Sequence, residues 1–279
     1  MCLFYFPKNA VSPVFQPTNP IDHPVVNWGM KWIAVMVATA GISGLIVMGK
    51  VHRQAQMPES VPGSYAPVAV LELFTSEGCS SCPPADRLLP QLAKEDAMVY
   101  ALSFHVDYWD RYGWKDPFSS SAYSDRQRQY GQQLNLETVY TPQLVVNGKW
   151  ELVGSNRVAA DAAIKKALNE KATVALKIAA VKKINDRLSF TVEASGEYTG
   201  TTLAAALVQE QASMDVKAGE NRGATLVHTQ IVRVFDKKKT GPANNFEMTI
   251  PADLGKWQLV VYVQNSSLAV AGATAYIPN

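Results

Sequence analysis

The segment from residue 67 to residue 95 constrains the fold more than any other part of the chain. Its pattern predicts a strand, a Cys-x-x-Cys turn and a helix in direct succession. The run PVAVLELF at 67–74 is apolar and partly β-branched, which is typical of a buried strand. Cys79 and Cys82 follow, and the leucines of PPADRLLPQLAKED recur at helical spacing. The cysteines are therefore expected at a helix start, where partial positive charge stabilises a thiolate.

The elements that follow are typical of an α/β domain. MVYALSFHV at 98–106 predicts a second strand, and YTPQLVVNGKW at 140–150 predicts a Thr-Pro step, a strand and an Asn-Gly hairpin turn. SNRVAADAAIKKALNEK at 155–171 predicts an amphipathic helix. This order of elements resembles a thioredoxin-like domain.

Beyond residue 171 the hydrophobic pattern has a period of two. Seven short strands at regular spacing predict an antiparallel β-sandwich or a similar sheet structure. The polar loop DVKAGENRGATLVH at 215–228 leads into one of these strands. A plain connecting loop is the favoured interpretation, and contact of Glu220, Asn221, Arg222 or His228 with a ligand at the cysteines is the alternative.

An apolar run near the N-terminus bears on the compartment, which decides what a cysteine pair means. Residues 32–48, WIAVMVATAGISGLIVM, form a run of 17 residues without a charge. A start at Met30 would give this run the short basic beginning of a secretion signal. We expect export to the periplasm or another extracytoplasmic space, with the run either cleaved as a signal peptide or retained as a membrane anchor. A buried soluble helix is the alternative.

Composition excludes several classes of protein. The chain has three cysteines, too few for a multi-disulfide scaffold, and its net charge of +2 is spread out, which does not indicate a nucleic-acid partner. No second Cys-x-x-Cys or paired histidine motif occurs, so neither a metal site nor a cofactor is predicted. Carriage of Cu(I) by the two thiolates with His105 is the least favoured alternative.

Three strings narrow the resemblance: LFTSEGCSSCPPAD, HVDYWDRYGWKDPFSSSAYSDRQRQY and YTPQLVVNG. They are similar to a family of exported thioredoxin-like proteins catalogued as domain of unknown function 1223, over residues 67–279. The resemblance implies that Cys79 and Cys82 are a redox pair and that Pro142 is a cis-proline facing it. It also implies an α/β thioredoxin-like domain with a helical insertion, followed by an all-β, sandwich-like C-terminal domain.

The predicted organisation has five parts. They are an N-terminal extension (1–31), a signal or signal-anchor segment (32–48), a linker (49–66), a thioredoxin-like domain (67–171) with an insertion at about 104–135, and a β-rich C-terminal domain (172–279).

Disulfide exchange needs an exposed attacking thiolate and a second thiol that resolves the mixed disulfide. We assign attack to Cys79, expected to be exposed, and resolution to Cys82, expected to be buried. Thr141, Trp109 and Tyr108 are the predicted substrate contacts, although aromatic residues of the insertion more often pack a core. His105 and Asp107, two apart at a strand end, are either a proton relay or a structural pair.

The predicted function is a thiol–disulfide oxidoreductase of the cell envelope whose partners are protein or peptide thiols and disulfides. The sequence indicates neither the redox direction nor the substrate. The alternative is a non-enzymatic envelope binding module in which the same cysteines form a stable disulfide.

Overall fold

A computed structural model describes residues 65–278. The predicted extension, the apolar segment at 32–48 and nearly all of the linker lie outside the described residues. Among the residues that are described, no helix is long and apolar enough to span a membrane.

The described chain alternates helices and strands in its first half and consists of strands in its second half. The helices are α1 (Pro83–Glu95), α2 (Ser121–Gln133) and α3 (Arg157–Asn169), with a 3₁₀ helix at Asp107–Tyr112. The strands are β1 (Ala69–Thr75), β2 (Val99–His105), β3 (Gln143–Val146), β4 (Trp150–Val153), β5 (Val174–Ile184), β6 (Arg187–Gly196), β7 (Thr202–Asp215), β8 (Thr225–Lys239), β9 (Ala243–Thr249), β10 (Trp257–Gln264) and β11 (Val270–Tyr276).

The first half is built around β1, which is buried along its whole length. β1 pairs in parallel with β2 and antiparallel with β3, and β3 turns back into β4. The Asn147-Gly148 step between β3 and β4 has positive φ at both residues, as a tight hairpin turn requires. Helices α1 and α3 cover one face of β1 and β3, with Leu71, Leu89 and Ile164 in the shared core.

The fold-class prediction is wrong. The β-rich half is not a separate sandwich placed after a thioredoxin-like domain, because β7, β8, β10 and β11 continue the same sheet. That sheet has eight strands in the order β11-β10-β7-β8-β2-β1-β3-β4, and β5, β6 and β9 form a second, three-stranded sheet. The described chain is therefore dominated by one large mixed sheet, with few helices.

Strand β7 explains why the sheet continues. In the string TTLAAALVQE, Leu203 and Leu207 point into the core shared with the three-stranded sheet, whereas Ala204 and Val208 point into the core on the opposite face. A strand buried on both faces belongs in the interior of a sheet. β8 then meets β2 in parallel at Ser103 and Ile231, which joins the two halves.

The predicted insertion folds into the 3₁₀ helix and α2, which cover the second face of the sheet. Tyr123 and Tyr130 of α2 are buried there, which confirms core packing for these two rings. Arg126 anchors α2 through a buried ion pair with Glu72 of β1 and a hydrogen bond to the Tyr262 hydroxyl of β10 (2.8 Å). The helix is thus fastened to both halves of the sheet.

The β7–β8 hairpin is longer than the sheet it joins. Its outer part, residues 210–230, is called the hairpin arm here, and residues 216–224 are its tip. The pairing register shifts between Leu207 and Val208, close to where the arm leaves the sheet. Strand β8 contacts α1, and residues 225–227 of the arm line a cavity together with Pro83 and Asp86, which places the arm near the start of that helix.

Candidate functional site

Cys79 and Cys82 form a disulfide in the turn between β1 and α1, with their Cα atoms 5.4 Å apart. The turn is closed by a hydrogen bond from the Cys82 N–H to the Cys79 carbonyl (3.2 Å). Cys82 occupies the N-cap of α1, and Pro83 begins the helix without losing a hydrogen bond, since the first helical N–H has no partner within the helix. The predicted placement of the cysteines at a helix start is confirmed.

The predicted exposure of Cys79 is wrong. Both cysteines have 0% of their surface exposed, whereas Ser80 and Ser81 between them are exposed. The turn is covered by residues from other parts of the chain, which a local sequence pattern does not reveal.

The tip of the hairpin arm provides part of that cover. The Asn221 side-chain amide donates hydrogen bonds to the carbonyl oxygens of Glu77 (2.8 Å) and Cys79 (2.9 Å). The Glu220 carboxylate accepts a hydrogen bond from the Ser80 N–H (3.0 Å), and hydrogen bonding to Ser80 lowers the pKa of Glu220. The polar loop is therefore not a plain connection, and the favoured interpretation of it is wrong.

The segment around Pro142 lies on the other side of the cysteine turn. The Thr141–Pro142 peptide bond is cis, as the resemblance implies. The Thr141 carbonyl oxygen is 3.5 Å from the Ser81 hydroxyl, and the Trp109 indole N–H donates to the Thr141 hydroxyl (2.8 Å). Two of the predicted substrate contacts, Thr141 and Trp109, are thus brought together beside the cysteines. The third, Tyr108, packs half-buried against the core on the α2 face.

The predicted His105–Asp107 pair does not form. His105 Nδ1 is 2.7 Å from an Asp116 oxygen, and Asp107 accepts a hydrogen bond from the Ser124 hydroxyl. β2 ends at His105 and Asp107 begins the 3₁₀ helix, so the alternation of a strand does not continue to Asp107. The partner of His105 comes from farther along the insertion.

Five titratable side chains are buried together between β1, α1, β2, the insertion and the hairpin arm. We call them the acid–histidine cluster: Glu77, Asp86, His105, Asp116 and His228. Each of them is at most 6% exposed. The sequence pointed to His105 for a relay and to His228 in the polar loop, but the burial of the three carboxylates was not predicted.

Hydrogen bonds and ring contacts connect this cluster. His228 Nε2 lies 3.1 Å from one oxygen of Glu77, and the Trp114 indole N–H donates to the other oxygen (2.7 Å). The Glu77 N–H donates to Asp116 (2.8 Å). The ring centroids of His105 and His228 are 4.8 Å apart. Two members of the cluster therefore flank the cysteines in the sequence: Glu77 two residues before Cys79, and Asp86 four residues after Cys82.

Burial and pairing act in opposite directions on these groups. Burial raises the pKa of Asp86 and outweighs the lowering effect of His228 and His105. Burial is the largest effect on His105 and acts to lower its pKa, but the Asp116, Asp86 and Glu77 carboxylates together raise it, and the net shift is upward. For Asp116, burial is the largest effect and acts to raise the pKa, but His105 and the hydrogen bonds from the Glu77 and Phe118 N–H groups together lower it. His105 and Asp116 are thus stabilised as an ion pair, whereas burial makes the Asp86 carboxyl group bind a proton more readily than an exposed one.

Two ring nitrogens in the cluster, His105 Nε2 and His228 Nδ1, have no hydrogen-bond partner. Within residues 65–278, no group of three or more histidine, cysteine or acidic side chains is arranged to hold a metal ion. The chemistry that this arrangement supports is proton exchange next to a disulfide.

The fold and the site define a protein with one large mixed sheet and a Cys-x-x-Cys disulfide that caps a helix. The chain belongs to the family described as Protein of unknown function (DUF1223), whose model matches residues 70–264. The family predicted from the three sequence strings is confirmed.

Two solved structures illustrate the range of similarity. A crystal structure of a protein from Agrobacterium tumefaciens is 27% identical with a TM-score of 0.56, and the match covers 76% of this chain and 96% of that one. A DUF3823 family protein from Bacteroides ovatus is 10% identical with a TM-score of 0.25, covering 38% and 57% of the two chains, and this likeness supports no argument. No curated protein matches the chain.

Proposed function

We propose that this protein is a thiol–disulfide oxidoreductase that acts through Cys79 and Cys82. The observation that carries the proposal is a disulfide at the N-terminus of α1 with buried proton-exchanging groups on both sides of it in the sequence. A disulfide with a purely structural role would not need a carboxylate–imidazole cluster next to it. Because burying such groups costs free energy, their presence supports a role in the reaction.

The reaction is a reversible exchange between this disulfide and the thiols of a partner protein or peptide. In one direction a partner thiolate attacks a sulfur of the Cys79–Cys82 disulfide, and the mixed disulfide is released when the second partner thiol attacks it. The partner leaves as a disulfide and this protein holds two thiols. In the other direction a partner disulfide is reduced and the Cys79–Cys82 disulfide re-forms. We propose Thr141 and Trp109 as the partner contacts beside the turn, whereas Tyr108, the third predicted contact, packs against the core.

We further propose that the exchange takes place outside the cytoplasm, in the periplasm or at the membrane surface. The uncharged run at 32–48 supports export, and a disulfide persists in an oxidising compartment. A reporter that is active only outside the cytoplasm, fused after Asn279, is expected to be active. Activity of a cytoplasm-dependent reporter alone would contradict export.

The proposal is tested by measuring the reduction potential of the Cys79–Cys82 couple together with disulfide exchange on a model protein disulfide. Catalytic couples lie above about −300 mV, and structural disulfides usually lie below it. The variant Cys82→Ala is expected to accumulate mixed disulfides through Cys79, visible on non-reducing gels. The matched variant Cys79→Ala is expected to trap little, because we assign attack to Cys79 and resolution to Cys82. Equal trapping by both variants would refute this assignment.

One observation favours a second function, a binding module with a structural disulfide. Both cysteines are fully buried in the oxidised protein, and buried disulfides resist exchange. A potential well below the catalytic range, with no exchange and no trapping by either variant, would establish this alternative and refute the oxidoreductase.

A further inference from the structure

The position of His228 is the feature that the proposed exchange reaction leaves unexplained. His228 lies on the hairpin arm, more than 140 residues beyond the cysteines, yet it is 1% exposed and sits between two carboxylates. Its Nε2 is 3.1 Å from Glu77, and its Nδ1, which has no hydrogen-bond partner, is 3.8 Å from Asp86 Oδ2. The unbonded nitrogen faces a carboxyl group at 3.8 Å, and the two can exchange a proton when that separation closes to hydrogen-bond distance.

Asp86 in turn follows the resolving cysteine by four residues, in the first turn of α1. The Asp86 N–H donates to the Cys82 carbonyl (3.1 Å), so the two residues are one helical turn apart, and side chains at this spacing are neighbours on a helix surface. The Thr75 hydroxyl donates to Asp86 Oδ1 (2.8 Å) and leaves Oδ2 on the side of His228. The carboxyl group is therefore fixed between the start of α1 and the hairpin arm.

The charged groups within salt-bridge distance of His228 belong to the same cluster. Glu77 comes from the cysteine turn and Asp86 from α1, and the His105 ring, paired with Asp116, packs edge-on against the imidazole. The arginine farther along β8, Arg233, is paired with Asp253 (2.7 Å). Within residues 65–278, no lysine or arginine forms a salt bridge with a member of the cluster.

We propose that Asp86 is the proton acceptor and donor for the Cys82 thiol, and that His228 is the positioning residue that shares this proton with Asp86. The hairpin arm is then a part of the redox site. This inference rests on the proposed oxidoreductase function and deepens it by naming the groups that carry the proton.

The proton moves in the second of two sulfur steps. The Cys79 thiolate attacks a partner disulfide, a Cys79–partner disulfide forms, and the first partner sulfur leaves as a thiolate. The Cys82 thiol then gives its proton to the Asp86–His228 pair, and its sulfur attacks Cys79. The Cys79–partner bond breaks, the second partner sulfur leaves as a thiolate, and the Cys79–Cys82 disulfide forms. The partner is reduced by two electrons and this protein is oxidised by two. The reverse reaction returns the proton to Cys82.

The test separates the two sulfur steps. The reduced full-length protein is mixed with an aromatic disulfide whose released thiolate is coloured, so attack by Cys79 and resolution by Cys82 each release one equivalent. In His228→Gln the amide still donates a hydrogen bond to Glu77 but does not titrate. We expect an unchanged first phase, a second phase slowed about 100-fold, within the range that positioned acid–base groups contribute, and a flattened pH profile of that phase.

Two further variants control the experiment. Val227→Thr, at the exposed neighbour on the same strand, is expected to leave both phases unchanged. Asp86→Asn keeps the shape of the side chain and is expected to slow the second phase as His228→Gln does, with no further loss in the double variant. If His228→Gln does not fold, Asp86→Asn alone tests the proton-exchange role.

The outcomes are distinct. Equal slowing of both phases, or an unchanged pH profile of the second phase in both variants, would overturn the proton-exchange role and leave His228 as a structural residue. If the unmodified protein releases no thiolate in either phase, the proposed oxidoreductase function itself fails.

Discussion

Replacing Asn221 with alanine is expected to open the site to attack. The Asn221 amide donates to the carbonyls of Glu77 and Cys79, and the substitution removes both hydrogen bonds while leaving the backbone of the tip intact. A hydrogen bond contributes about 0.5–1.5 kcal/mol net, so the covered state loses about 1–3 kcal/mol relative to the open one. A loss of about 2 kcal/mol corresponds to about a 30-fold larger population of the open state.

The assay is the rate at which the oxidised protein is reduced by excess dithiothreitol. Because both cysteines are fully buried, a reductant reaches the disulfide from the open state, and the rate should rise with its population. Arg222→Ala changes the exposed neighbour, which makes no hydrogen bond through its side chain to the cysteine turn, and is expected to leave the rate unchanged. Equal rates for Asn221→Ala and Arg222→Ala would refute the idea that the tip controls access to the disulfide.

Three further predictions concern stability. Arg126→Ala leaves its carboxylate partner buried without a counter-ion and should cost about 3–5 kcal/mol in urea unfolding. The pKa of His105 is raised in the folded protein and that of Asp116 is lowered, so their ion pair stabilises the fold fully between pH 3.8 and pH 6.5, the ordinary pKa values of the two groups. This stabilisation is lost as the pH falls through the folded-state pKa of Asp116 or rises through the folded-state pKa of His105. Asp116→Asn should therefore flatten the pH dependence of the urea midpoint. Gly148→Ala and Gly200→Ala should each lower the free energy of unfolding by roughly 1–2 kcal/mol, because both residues have positive φ. Of the two, only Gly148 would place its new Cβ 2.0 Å from a carbonyl oxygen, so Gly148→Ala should destabilise the protein more. Equal losses of unfolding free energy would contradict this.

The first half of the fold could be predicted from local signals. The apolar run before Cys79, the leucine spacing of α1 and the Asn147-Gly148 turn each specify an element without help from distant residues. The pairing of the second half with the first could not be predicted, because strand pairing between distant segments leaves no periodic signal in the sequence. A hint was present in TTLAAALVQE, which is apolar at consecutive positions and not only at alternate ones, as expected for a strand buried on both faces.

The residues of the candidate site also differ in whether the sequence alone reveals them. Cys79 and Cys82 are recognisable from spacing alone, whereas Asp86, Asp116 and His228 become neighbours only when α1, the insertion and the hairpin arm are assembled. Asp86 and Asp116 resemble ordinary surface acids in a sequence, because nothing local indicates that they are buried. Burial of the cysteines was equally hidden, since part of their cover comes from a loop about 140 residues away.

Residues 172–279 are not an accessory to the redox site, because the hairpin arm forms part of it. A fragment ending at residue 171 would keep Cys79, Cys82 and Pro142 but would lose the two hydrogen bonds from Asn221 and the imidazole of His228. It would also leave β2 as the edge of the sheet, with unpaired N–H and C=O groups where β8 now lies. Both the cover of the disulfide and the completeness of the sheet therefore depend on β7 and β8, and a cysteine pair that keeps its reactivity in such a fragment would show that the arm is dispensable.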